Sequence, residues 1–324
     1  MRLSLAAASL VVIAACSQSE PSSEPALETS GSTMSDSQVP ESAASEIERP
    51  TTWQELLGRE REEANARIAY GPGEHQYGEL WLPEGEGPFA LVIMVHGGCW
   101  RAEIPGTILQ DQLNADLRRR GIAVWNITYP RVGHETGGYP GTFQSVAAAV
   151  DHVRVLAGEH RLDLTRTAIV GHSAGGHLAA WAASRGQLGH GQIAGLNGEA
   201  FVPGALITLA GINDLEHYSA EGPGRCGEPD IVNALIGAES RSADPYGDTS
   251  PARLLPFGVE QVIISGDVDP IVPAAFGVAY AERAQAAGDT VTEITVPNSG
   301  HFELIDPTAP AWDVIVTELD RVLE

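Results

Sequence analysis

Thr167-Ala168-Ile169-Val170-Gly171-His172-Ser173-Ala174-Gly175-Gly176-His177-Leu178-Ala179-Ala180-Trp181 is the stretch that decides the fold. Residues 167–170 read as a short buried strand, and residues 173–184 as an alanine-rich helix. Gly171 and Gly175 permit the sharp, strained strand-to-helix turn that lifts a hydroxyl clear of a sheet. A serine there also sets a developing oxyanion against the free N–H groups of a helix start. A G-x-S-x-G pentapeptide is weak alone, because roughly one chain in four with this much glycine and serine would hold one by chance. The strand before it and the helix after it give it weight. Ser173 is the candidate nucleophile.

Working outward, strands and helices alternate. Residues 89–95 (FALVIMV) and 122–128 are continuous apolar runs, as strands buried on both faces should be. Residues 205–209, 261–265 and 292–296 read as further strands. Residues 76–82 alternate and stop at Pro83, as an edge strand would. Helices are expected over 107–120, 143–157, 274–287 and 312–323, with Asp306-Pro307-Thr308 marking the start of the last. This pattern predicts one α/β domain over 51–324, with a mostly parallel sheet covered by helices on both faces. Its ligand site belongs beyond the carboxyl ends of the strands.

Three more clusters fall at those ends. His96-Gly97-Gly98 follows the strand 89–95, and its glycines let backbone N–H groups turn toward a ligand. Gly97, Gly98 and Ala174 are therefore the candidate oxyanion donors. Gly266-Asp267-Val268-Asp269-Pro270 follows the strand 261–265, and Asn298-Ser299-Gly300-His301-Phe302 follows 292–296. A serine needs an imidazole to take its proton, and the imidazole needs a carboxylate to fix its tautomer. Asp269 is preferred to Asp267 because it lies deeper in its loop. His301 is the one histidine that follows Asp269 in the chain. His172 and His177 are five residues apart, on different faces, with no acid or cysteine at metal-ligand spacing, so no metal is expected.

Composition narrows the chemistry further. The 19 basic residues are all arginine, so a Schiff-base lysine, a Ser-Lys dyad and a phosphate-loop lysine are excluded. A net charge of −24 argues against nucleic-acid binding and against adhesion to anionic lipid by charge. It also makes a small neutral substrate a better fit than a polyanion.

The N-terminus reads as an address. Residues 1–16 carry Arg2, an apolar run over 3–15 and Ile13-Ala14-Ala15-Cys16, which resembles a bacterial lipoprotein signal with lipidation at Cys16. Residues 17–50, rich in serine, proline and acids, read as a disordered tether. Ser17 implies outer-membrane sorting by the same resemblance. The expectation is a protein of the bacterial cell envelope, held at the membrane by lipid.

The stretches HGGCWR at 96–101, GHSAGGHLAAW at 171–181, GDVDPIVP at 266–273 and GHFELIDP at 300–307 resemble an α/β-hydrolase. The branch is the one with kynurenine formamidases, feruloyl-esterase-like enzymes and small carboxylesterases. The chain order Ser173, Asp269, His301 is that family's order. The resemblance implies Ser173 as nucleophile, Asp269 as acid and His301 as base, with Gly97, Gly98 and Ala174 as oxyanion donors and no cofactor. It also implies a small cap between late strands. Cys99-Trp100 stands where related loops have a third glycine or an aromatic residue, so the resemblance leaves the substrate open.

Cys99 and Cys226 remain as an even pair in an exported domain. A disulfide between them would pin the cap loop 221–230 to the oxyanion loop, and two free thiols are the alternative. Trp100, Tyr129, Tyr139 and Phe302 lie near strand ends, and Trp100 and Phe302 are the candidates for a substrate pocket. The function expected is a serine esterase acting on small carboxylic esters. An arylformamidase or amidase is the alternative, ahead of a peptidase or a non-catalytic surface lipoprotein.

Overall fold

The computed structural model describes residues 50–324, apart from residues 190–192, 194, 197–198 and 242–243. The signal segment, Cys16 and the tether up to residue 49 lie outside the described residues. Among the described residues, no helix is long and apolar enough to cross a membrane.

In chain order the elements are α1 (Trp53–Leu57), β1 (Ala66–Ala69), β2 (Tyr77–Trp81), β3 (Phe89–Val95), α2 (Asp111–Arg119) and β4 (Ala123–Ile127). Then come α3 (Gly141–Asp151), α4 (Val153–His160), β5 (Leu162–His172), α5 (Ala174–Ala183), β6 (Ala205–Leu209), α6 (Leu215–Glu221) and α7 (Asp230–Ile236). The chain closes with β7 (Glu260–Gly266), α8 (Ala274–Ala287), β8 (Val291–Val296) and α9 (Ala311–Leu323).

The sheet runs β1-β2-β4-β3-β5-β6-β7-β8, with β1, β2 and β4 antiparallel in turn and every later pairing parallel. After β3 the chain moves outward to β4, then returns to place β5 on the other side of β3. Loops leaving the carboxyl ends of β3 and β5 therefore diverge, and the crevice between them is where such sheets bind ligands. Register sharpens the point: Val95 pairs with Gly171, so Gly97 and Ser173 come level two residues later. The central strands are apolar throughout because helices cover both faces; residues 91–95 are wholly buried.

Four expectations need correction. Residues 77–81 are not an edge strand, because β1 pairs outside them. β1 is short and alternates between half-buried and exposed residues, so it carries little apolar signal. The helix expected over 143–157 is two helices broken at His152, where Val155 N–H bonds the His152 carbonyl at 2.9 Å in a tighter turn. The helix expected over 107–120 opens with a 3₁₀ turn over Thr107–Gln110. Asp306 does not start the final helix, which begins at Ala311. Its carboxylate instead takes both guanidinium nitrogens of Arg59, at 2.5 and 2.7 Å.

Candidate active site

Ser173 adopts φ 57° and ψ −124°, a left-handed conformation that costs a residue with a Cβ about 1–3 kcal/mol. The surroundings enforce it. Its N–H donates to the Leu209 carbonyl at 2.9 Å, and its own carbonyl accepts from Gly176 N–H at 2.9 Å. A Cβ on Gly171 would stand 2.2 Å from the Gly175 oxygen, and one on Gly175 would stand 2.1 Å from the Val95 oxygen. Both glycines are thus required for α5 to start directly against β3 and β5.

The two late loops interlock beside this turn. Val268 N–H donates to the Ser299 carbonyl at 3.2 Å, and the Asp267 carboxylate accepts from Ser299 N–H at 3.2 Å. Asp267 is exposed and braces the loop, whereas Asp269 is buried. Asp269 Oδ1 accepts from the N–H groups of Ile271 and Val272 at 2.7 and 2.9 Å. Its Oδ2 lies 2.7 Å from His301 Nδ1. With Nδ1 donating to a carboxylate, the second nitrogen of His301 is left to accept a proton. His301 and Ser173 line the same cavity and make no direct hydrogen bond to each other.

His172 lies beneath His301, with ring centroids 4.5 Å apart. Its Nε2 donates to the His301 carbonyl at 2.9 Å, which holds the loop of His301 in place. Burial pushes the His172 imidazole well below its ordinary range, so it stays neutral under the base.

The loop after β3 is unusual in its backbone. Gly98, Cys99 and Trp100 have φ of 104°, 50° and 55°, three left-handed residues in a row. Among the described residues, the N–H groups of Gly97, Gly98 and Ala174 have no protein acceptor. A Cβ on Gly97 would stand 3.1 Å from the Ser173 Cβ, so these donors gather at the nucleophile. The loop is clamped from outside. Cys99 and Cys226 form a disulfide with Cα atoms 5.2 Å apart, joining the cap loop to the oxyanion loop. Arg101 Nε adds a bond to the Cys226 carbonyl at 3.0 Å.

Trp100 does not line the pocket: it is fully buried, and its indole N–H donates to His177 Nδ1 at 3.1 Å. His177 Nε2 donates onward to the Thr249 carbonyl at 2.8 Å. Both nitrogens of His177 are thus engaged in wiring the oxyanion loop to α5 and the cap. Tyr129 is also internal, stacked on His96 with its hydroxyl on the His96 carbonyl at 2.7 Å. Tyr139 lies under the Arg241 guanidinium, 4.0 Å away.

Phe302 does line the cavity, which has a volume of about 240 Å³ and includes Ser173 and His301. The rest of its wall was not foreseen: Trp53 from α1, Ile104 and Pro105, Arg225 from the cap loop and Ile271. An outer groove of about 450 Å³ shares Trp53, Arg225, Ile271, His301 and Phe302 and extends to Pro50 and Gln54. α1 is tied to the loop of His301 by Thr51 N–H on the Glu303 carboxylate and by Arg59 on Asp306. A capping box between Thr52 and Glu55 was a visible signal that a helix starts there. Nothing in the sequence showed that it would reach the site.

The BD-FAE family model matches residues 79–283. Esterase LipC of Mycobacterium tuberculosis (strain ATCC 25618 / H37Rv) is 25% identical over 276 residues, covering 79% of this chain. The chain spans 65% of that curated relative's length. A truncated carbohydrate esterase from gut microbiota has the same fold at a TM-score of 0.65 and 23% identity, over 81% of this chain and 96% of that one. Esterase B from Lactobacillus rhamnosis (HN001) does so at 0.66 and 17%, over 81% and 88%. A propionate-bound esterase from Thermogutta terrifontis does so at 0.63 and 18%, over 80% and 93%.

Proposed function

The chain belongs to the BD-FAE family of α/β-hydrolase esterases, and from that premise we propose that it is a serine hydrolase cleaving small carboxylic esters through an acyl-enzyme. The observation that carries this reading is the 2.7 Å contact of buried Asp269 with His301 in the cavity that holds left-handed Ser173. Ser173 Oγ adds to the ester carbonyl while His301 takes its proton, and Asp269 stabilises the imidazolium so formed. The carbonyl oxygen becomes an oxyanion and receives the N–H groups of Gly97, Gly98 and Ala174. Collapse expels the alcohol, which leaves with the proton from His301. A water, deprotonated by the same imidazole, then adds to the acyl carbonyl and frees the acid and Ser173.

The names of the similar proteins support an ester over a formamide as substrate. The test uses short-chain 4-nitrophenyl esters and a fluorophosphonate probe. The wild-type protein should turn over the esters and label at Ser173, and Ser173→Ala should do neither. Absence of labelling in the wild-type protein would sink the reading. Turnover of N-formylkynurenine with none of esters would replace it by the arylformamidase alternative.

The proposal extends to export and lipid anchoring at Cys16 in a bacterial envelope. The apolar run before Cys16 supports it, as does a disulfide, which persists in an oxidising compartment. Incorporation of labelled palmitate, abolished by Cys16→Ser, is the expected result; unlabelled wild-type protein would refute the anchor.

A further inference from the structure

Arginines in this chain are scarce and almost all are engaged. There are 19 of them against 43 acids. Among the described residues, every arginine except Arg161 and Arg225 meets a carboxylate, a backbone carbonyl or an aromatic ring. Arg161 lies at the amino edge of the sheet, where its carbonyl receives Phe89 N–H at the start of β3. Arg225 lies at the catalytic cavity and borders both the inner cavity and the outer groove.

The loop that carries Arg225 is braced on each side of it. The Glu228 carboxylate accepts from Gly224 N–H at 2.7 Å and from Cys226 N–H at 3.1 Å, so it is committed to backbone. Cys226, the next residue, is fixed to Cys99 by the disulfide and to Arg101 through its carbonyl. An unpaired, exposed guanidinium thus stands on a held backbone at the border of the cavity that also holds Ser173. Glu103 also lines the inner cavity, but Arg101 pairs with it at 3.1 Å and offsets its charge. Apart from Ser173, His172 and His301, the other side chains of the lining are apolar. In so acidic a chain, a cation without an acid partner at the mouth of a site is a seat for a ligand's anion. Guanidinium suits a carboxylate, which it can take with two parallel N–H bonds.

We propose that Arg225 is a specificity-determining residue that recognises a carboxylate on the ester substrate, so that the preferred substrates are monoanionic esters. This rests on the serine-esterase reading and deepens it. The chain's overall negative charge still disfavours polyanions, since one arginine offsets one carboxylate. A single local charge steers and orients; it does not alter the chemistry at Ser173.

The test compares matched ester pairs in the full chain. One pair is 4-nitrophenyl hexanoate and the mono-4-nitrophenyl ester of adipic acid, which puts the carboxylate on the acyl side. The other is phenyl acetate and 4-carboxyphenyl acetate, which puts it on the alcohol side. For at least one pair, the anionic-to-neutral ratio of kcat/KM should fall about tenfold in Arg225→Gln, mainly through KM. Arg225→Lys should recover part of the ratio, and Arg225→Glu should lower it further. In the wild-type protein that ratio should decline as salt is raised from 0.02 to 0.5 M, which are chosen conditions spanning roughly 20 to 4 Å of screening length. The ratio in Arg225→Gln should stay flat. Ratios unchanged by all three substitutions, with neutral esters still turned over, would overturn the inference and leave the esterase reading standing. No turnover of any of the four esters and no fluorophosphonate labelling would instead remove the reading beneath it.

Discussion

Ser173, Asp269 and His301 stand on loops that leave the parallel sheet, while Trp53 and Arg225 of the same cavity wall come from two segments outside it. On the first side, the positions follow from register: Val95 beside Gly171, and Gly266 beside Val296, set four loops at one level. On the second, α1 is held by two contacts to the loop of His301, and the cap loop by a disulfide. The sheet side is buried and strained, and in the proposed mechanism it meets the reacting atoms. The other wall is more exposed, and under the proposals above it would meet what the acyl or alcohol group carries. That division would put chemistry on the rigid part and selectivity on the attached part.

The strongest way to break this division is Asp269→Asn. An asparagine that keeps its oxygen on the N–H groups of Ile271 and Val272 would turn its amide toward His301 Nδ1. That forces the tautomer in which the other nitrogen carries a proton and cannot accept one from Ser173. The expected loss in kcat is about 10⁴-fold with the fold retained. A loss of tenfold or less, measured on the same ester, would mean that Asp269 does not govern the tautomer.

A second contrast is acid sensitivity. Burial lowers His96 to about 3, His177 to about 4 and His172 well below its ordinary value, so all three are neutral in the folded sheet side. In the unfolded chain they protonate near 6.5. The unfolded state therefore binds more protons as pH drops, and stability present above about 6.5 is lost toward 4, at about 1.4 kcal/mol per pH unit for each uncharged ring. Asp111, raised to about 7 chiefly by burial, and Glu79, raised by the same cause, work in the opposite sense. His134 and His152, also lowered by burial, add to the three rings. The urea midpoint should fall steadily over that window. A flat midpoint between pH 6.5 and 4.5 would show that the centre is not as dry as its burial implies.

Trp53→Ala carries the smallest effect. It removes an aromatic wall shared by the inner cavity and outer groove, and should raise KM for short esters about tenfold with little change in kcat. A fall in kcat with KM unchanged would place Trp53 in the chemical step and dissolve the distinction between the two walls.

The serine turn, the glycines after β3 and the order of Ser173, Asp269 and His301 were legible because each depends on local backbone. Glycine is written wherever a Cβ would collide, and a buried parallel strand is written as an unbroken apolar run. Asp267 and Asp269 look alike along the chain, and only the fold makes Asp269 buried and Asp267 exposed. The placement of Trp100 was missed for a related reason. An aromatic residue at a strand end looks the same whether it faces a cavity or a histidine of a neighbouring helix, and only packing against His177 distinguishes them. Of the wall containing Trp53 and Arg225, only the cap loop's approach through Cys226 was legible. The two residues are separated by 172 positions (225 − 53) and share no spacing rule.

Sequence alone therefore determined the central parallel strands, the turn that carries Ser173 and the candidates Asp269 and His301. These follow from chain stereochemistry and hydrophobic period, whereas the edge strand β1 left too weak a pattern to read. Tertiary structure decided the rest of the cavity wall. The disulfide between Cys99 and Cys226 was an open expectation from the cysteine count, but the ion pair between Arg59 and Asp306 that brings α1 to the cavity was not. Contacts of that kind depend on where separate segments meet in space, which no local pattern along the chain encodes.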